Sequence, residues 1–274
     1  MPTFQNTTSQ ESIKVFLNSA HASIAQSDSH VYFHLKDKIH TLNGHHIKLS
    51  VLDAEIPFSF YQTNSTNNVL SGSIGGSAFN FTFSAGNYTA FEIVDDLNAK
   101  FTAASLTCTV SYSKITNRLT FTAGGGVAIV LNAASTMLGQ LGFSSTGTLT
   151  GTTTLVSSQA VNLQPTRVLF IKIQNLNVSN RYDNSTSKVI ASVPIDVERN
   201  SWVFYTAHSN ISSEIIDSYV DILEVVIVDE EDNEVEFNGV HWSMTLGFVF
   251  DSMKAVPPRL NTVEQERDAL EEYV

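Results

Sequence analysis

Histidines and carboxylates are the residues most able to do chemistry in this sequence. Six of the eight histidines, His21, His30, His34, His40, His45 and His46, fall within the first 46 residues. On an extended strand His30 and His34 would share a face about 13 Å apart, too far to ligate one metal ion together. No metal site is therefore expected, and pH-sensitive contacts are the better use of these imidazoles. The run DEEDNEVEFNG, residues 229–239, has the carboxylate density of a calcium loop. It lacks glycine at the sixth position and alternates toward a strand at Val235 and Phe237, so a tight turn at Asp232-Asn233 is predicted instead.

Enzyme signatures are missing. The sequence holds no H-E-x-x-H, no G-x-S-x-G, no Walker A and no G-x-G-x-x-G between a strand and a helix. Gly75-Gly76 and Gly124-Gly125-Gly126 read as hairpin tips. Cys108 is the only cysteine, which excludes an intramolecular disulfide and a Cys-based zinc site. The expectation is a protein that is not an enzyme, with no catalytic residue, no metal ligand, no cofactor-binding residue and no cofactor.

The 274 residues carry 15 Lys+Arg against 27 Asp+Glu, a net charge of −12, with 42% hydrophobic and only 15% charged residues. An acidic chain without a Lys/Arg stripe argues against nucleic-acid binding by the folded part. No apolar run is long enough to predict a membrane span. The N-terminus has no basic region leading into an apolar one, so no secretory signal is expected and folding in a reducing compartment is the simpler reading. The sequons at Asn6, Asn64, Asn80, Asn87, Asn177, Asn184 and Asn210 then follow from an Asn/Ser/Thr-rich composition rather than from glycosylation. Between residues 214 and 236 there are ten carboxylates and no Lys or Arg, and residues 261–274 add five against Arg267 alone. Two readings of the acidic block stand: a solvated hairpin, or a face for a basic partner.

Periodicity supplies the elements that would position these groups. Residues 1–29 show no clear period and read as an arm that orders against something else. Strands are predicted at Val31 to Ile39, Ile47 to Tyr61, Arg167 to Ile173, Lys188 to Pro194, Trp202 to Thr206, Tyr219 to Asp229 and Val240 to Phe250. The last is the clearest, with Trp242, Met244, Leu246, Phe248 and Phe250 on one face. Pro57 has no N–H for a ladder and is expected at an edge or bulge. Residues 62–160 are poor in charge and rich in Gly, Ser, Thr and Asn. There Thr89 and Glu92 form a capping box before a helix with Phe91, Val94, Leu97 and Phe101 as its buried face. A hairpin follows with Cys108, a structural thiol, pointing inward, and a short helix is expected over Ser135 to Leu141. The fold class is mainly β: a jelly-roll β-sandwich with an inserted small α+β subdomain. Its domains are an N-terminal arm (1–29), a jelly roll (30–61 plus 161–252), the insertion (62–160) and an acidic C-terminal tail (253–274). In the tail a short helix from Thr262 would serve as a docking peptide or fray.

Five segments occur in a telling order: HIKLSVLDAEIPFSFYQTN, GNYTAFEIVDDLNAKF, TVSYSKITNRLTF, LGQLGF and DEEDNEVEFNGVHWSMTLGFVF. Together they resemble the penton or minor capsid proteins of virophages, Polinton-like viruses and related double-jelly-roll double-stranded DNA viruses. The resemblance implies a structural capsid protein at the icosahedral vertex, assembling as a homopentamer within the virion. Its partners would be the double-jelly-roll major capsid protein and, further, other minor capsid proteins or a vertex fibre. The sandwich would stand in the shell and residues 62–160 would project outward. Asp229, Glu230, Glu231 and Asp232 are the candidate interface. The alternative is a receptor- or glycan-binding module of a viral spike or fibre, with Tyr61, Phe79, Tyr88 and Phe143 as aromatics that serve either binding or core packing.

Overall fold

The computed structural model describes residues 12–40, 45–144, 147–177, 180–182, 185–207, 212–217 and 219–252. The chain opens with β1 (Ser12–Asn18), β2 (Ile24–Ala25), β3 (His30–His40) and β4 (His45–Pro57). The insertion follows as β5 (Val69–Ile74), β6 (Ser77–Thr82), α1 (Ala90–Ala103), β7 (Cys108–Ser113), β8 (Arg118–Ala123), β9 (Ile129–Leu131), β10 (Leu149–Gly151) and β11 (Thr154–Val156). The chain then returns through β12 (Val168–Ile173), β13 (Asn180–Tyr182), β14 (Ser185–Ser187), β15 (Val189–Pro194), β16 (Trp202–Thr206), β17 (Ser213–Ile215), β18 (Tyr219–Val228) and β19 (Ser243–Ser252).

Among the described residues, one five-stranded sheet runs β1-β19-β4-β16 with β17 also on β4, and another runs β15-β12-β18-β3-β2. The pairings nest: β1 with β19, β3 with β18, β4 with β16 and β12 with β15, all antiparallel. This is one long hairpin rolled into two facing sheets, which is the jelly-roll topology. The first strand differs from the sequence expectation, because Ser12–Asn18 is not a free arm but pairs along its length with β19. Residues 1–11 and the tail from 253 onward lie outside the described residues.

Alternation explains the sandwich core. Trp242, Met244, Leu246, Phe248 and Phe250 all point inward and are buried, facing Leu169, Ile171 and Ile173 of β12 and Leu223, Val225 and Ile227 of β18. Each such side chain contributes about 1.5–3 kcal/mol relative to exposure. In β18 the spacing Val220 to Leu223 breaks the period of two, and the ladder to β3 shifts register there. A bulge is the only way to keep both residues inward. In β4 the irregularity falls opposite Thr245 and Leu246, leaving Leu52 as the extra residue packed over Gly247. Pro57, expected at an edge or bulge, is instead the last residue of a central strand.

The insertion has its own apolar cluster, centred on Leu70, Phe83, Phe101, Phe121, Met137 and Leu141. Helix α1 begins at the capping box: the Glu92 N–H donates to Thr89 Oγ1 (3.3 Å) and the Thr89 N–H donates to Glu92 Oε2 (2.7 Å). Thr89→Ala should cost about 1 kcal/mol, read as a lower unfolding midpoint. The buried stripe is Ile93, Leu97 and Phe101, not the expected set, for Phe91 is exposed and stands edge-on to Tyr112. The short helix expected over Ser135 to Leu141 is a run of turns. It closes with the Phe143 N–H on Leu138 O (2.9 Å) and the Gly142 N–H on Gly139 O (3.1 Å). That is the ending of a helix, with Gly142 at positive φ, but without the length of one. Gly75-Gly76 form a hairpin tip as predicted, whereas Gly124–Gly126 make a tight turn between β8 and β9, which do not pair with each other, with Gly125 and Gly126 at positive φ.

A polar neck joins the two cores. The Gln62 side chain donates to Thr166 O (3.2 Å) and accepts from the Thr166 N–H (3.1 Å), linking the chain where it leaves the sandwich to where it returns. Gln140 Nε2 donates to Gln62 O (2.9 Å), and Asn87 bridges Phe60 O and the Gln62 N–H. Gln62 is buried, so each of these bonds satisfies a polar group that would otherwise be stranded.

Candidate functional site

The four acidic residues singled out in the sequence share one turn, and the fold employs three of them internally. Asp229 Oδ1 accepts the N–H groups of Glu231 and Asn233, both at 2.9 Å, which closes the turn that places Asp232 at φ 70°. Glu230 Oε2 accepts the Arg167 N–H (3.0 Å). Asp232 is ion-paired with Lys172 of β12. Among the described residues, Glu231 alone of the four has no partner for its side chain. The turn is thus a built element in which only Asp232 is paired with a cation and Glu231 is the carboxylate not used by the fold.

Register brings three further groups to this turn that the sequence did not single out together. Lys172, Val226 and His30 stand opposite one another across β12, β18 and β3. Asp232 binds the lysine end of that row and Glu234 binds the histidine end. His30 Nδ1 lies 2.9 Å from Glu234 Oε1, and His30 Nε2 lies 2.9 Å from Glu224 Oε1. Ser27 Oγ donates to Glu234 Oε2 (2.8 Å) and Tyr32 donates to Glu224 Oε1 (2.8 Å). Burial by itself would lower the His30 pKa, but the hydrogen bonds and charges of Glu224 and Glu234 outweigh it and hold the value above normal. The Tyr32 phenol is likewise pushed up, chiefly by its bond to Glu224.

The remaining sequence candidates lie apart. His34 and His40 are exposed on β3, and His21 lines a cavity of about 480 Å³ with Phe16, Phe33, Asp53, Glu55 and Met244. Asp53 there accepts from Thr245 Oγ1 (2.7 Å). Among the described residues, no three His, Cys, Asp or Glu side chains could hold one metal ion, and no helix is long and apolar enough to cross a membrane. Cys108 is buried, and that burial pushes its thiol up to about 11. It is therefore not a nucleophile at neutral pH. Of the candidate binding aromatics, Phe79 and Phe143 belong to the core of the insertion, Tyr88 packs partly against that core, and Tyr61, just before the insertion, is exposed.

No protein-family model matches the sequence, and no curated protein does. Among solved structures, the mavirus penton protein superposes with a TM-score of 0.51 at 11% identity, covering 88% of this chain and 100% of that one. The chain has the fold of the mavirus penton protein. That match takes in the penton protein from end to end, so it extends beyond a shared sandwich. A chain of the Sputnik virophage, from a cryo-EM structure, gives a TM-score of 0.39 at 10% identity over 87% of this chain and 98% of that one.

Proposed function

We propose that this protein is a structural capsid protein: the subunit of a pentameric vertex capsomer, in contact with a double-jelly-roll major capsid protein. The observation that carries the reading is the superposition on the whole mavirus penton protein, insertion included. The sandwich, which takes in β1 as well, stands in the shell, and the charge-poor insertion of residues 62–160 projects outward. A closed ring requires each subunit to offer two different surfaces. Phe16 on β1 and Phe204 on β16, 77% and 70% exposed, lie on opposite edges of one sheet and suit such contacts. The acidic turn at Asp229, Glu230, Glu231 and Asp232 is the proposed contact with a basic neighbour, with Glu231 as the residue that reaches out.

Light scattering of the purified protein, with negative-stain images of the main peak, tests the reading. Five-fold rings are expected, either alone or after mixing with the major capsid protein. A stable trimer overturns the penton assignment in favour of a spike or fibre, and a monomer that never enters particles overturns the capsid role. Glu231→Lys should reduce incorporation without changing the unfolding midpoint. Asp229→Lys should lower both, because Asp229 also closes its own turn.

A further inference from the structure

Besides its backbone bridge to the end of β18 and the Glu230 bond to the Arg167 N–H, the acidic turn is fastened to the second sheet by two side-chain pairs of unlike chemistry. One is Asp232 on Lys172, an ion pair between a carboxylate and an ammonium group. The other is Glu234 on His30, whose ring nitrogens both face carboxylate oxygens at 2.9 Å. Only the imidazolium can donate from both nitrogens, since the neutral ring turns a lone pair toward one of its two acceptors. His30 and Glu224 keep only 15% and 19% of their side-chain surface exposed, against 46% for Glu234. The inner pair is thus shielded and the outer carboxylate is the one able to swing away.

We propose that His30 is a protonation-dependent latch, holding the turn over residues 229–234 against the second sheet as imidazolium and releasing Glu234 as neutral imidazole. The groups that face it are Glu224 from β18, Glu234 and the Ser27 hydroxyl from the two adjoining loops, and Tyr32 from its own strand. Asp28 is turned away, its carboxylate accepting the Gly239 N–H (2.7 Å), and Lys172 is occupied by Asp232. Among the described residues no second cation faces the two glutamates, so loss of the His30 proton leaves them uncompensated there.

The direction of the effect follows from the raised pKa. A histidine whose folded-state value exceeds its unfolded value of about 6.5 contributes its full stabilisation below that pH. The contribution is lost as the pH rises through the folded-state value. Falling pH closes the latch and rising pH opens it. The latch follows from the geometry alone, whereas any effect on assembly rests on the capsid reading, and separate measurements test the two.

Imidazole NMR titration of the full chain, with the His30 resonance assigned in the wild type by through-bond correlation of the ring to its own backbone, reads the latch directly. His30 should titrate above pH 6.5, and Glu234→Gln should lower its midpoint by about half a pH unit or more. Amide protection over residues 230–235, corrected for intrinsic exchange, should fall several-fold through the same midpoint in the wild type and stay flat in His30→Gln. A wild-type midpoint at or below 6.5 overturns the latch even if no variant folds, as does protection that ignores pH. Particle incorporation that follows the His30 titration ties the latch to assembly. If His30 titrates as expected while incorporation is independent of pH, the latch stands and the turn is not the capsid contact.

Discussion

Replacing Trp242 by alanine is expected to destabilise the sandwich by about 3–5 kcal/mol, the cost of emptying a site filled by a large aromatic side chain. The indole is 1% exposed, stands edge-on to Phe33 with centroids 6.2 Å apart, and donates from Nε1 to Asp28 O at 2.9 Å. Its own N–H donates to Ser19 Oγ (3.0 Å). Trp242 thereby ties β19 to two points of the N-terminal segment while filling the space between the sheets. Trp242→Phe retains most of the volume and loses the indole bond, leaving Asp28 O to find water, so about 1–2 kcal/mol is expected. Equilibrium unfolding in denaturant separates the two variants, and a loss below 1 kcal/mol for alanine would contradict the packing described.

Phe101→Ala should remove a similar amount of stability from the insertion while leaving the sandwich nearly untouched. The Phe101 ring contacts Phe79, Phe81 and Phe121 at centroid distances of 5.2, 5.1 and 6.1 Å, at the centre of the second apolar cluster. The chain's two tryptophans, Trp202 and Trp242, both lie on the sandwich. Tryptophan fluorescence therefore reports on one core, and far-ultraviolet ellipticity on both. The wild type should unfold with the two signals close together. In Phe101→Ala the ellipticity should acquire an early phase that fluorescence does not share. Coincident curves in the variant would mean that the neck couples both cores into one cooperative unit.

Most of the sandwich was legible in the sequence because its strands alternate. Trp202–Thr206 has the predicted bounds, and the inward set of β19 is the predicted one. β1 was missed for a physical reason: Ile13, Val15 and Leu17 do alternate, but Phe16 between them faces solvent and erases the contrast between the two sides. In α1 the residues at 93, 97 and 101 make the central stripe. Phe91 at its margin is wide enough to look central in a sequence while lying over Tyr112 and Lys114. The acidic turn was visible as charge density, and its fastening was not. Glu224 and Glu234 are 194 and 204 residues from His30, and strand register, not local sequence, decides that they meet.

The neck has a consequence for how such a molecule can be altered. Gln62 and Thr166 exchange two hydrogen bonds, so the departing and returning chains are already held side by side at the sandwich surface. Whatever lies between them needs two adjacent termini and polar groups that take over the bonds Asn87 and Gln140 make to the buried Gln62 backbone. Neither five-stranded sheet takes a strand from the segment, so a substitute meeting those conditions would leave the ladders of the frame intact.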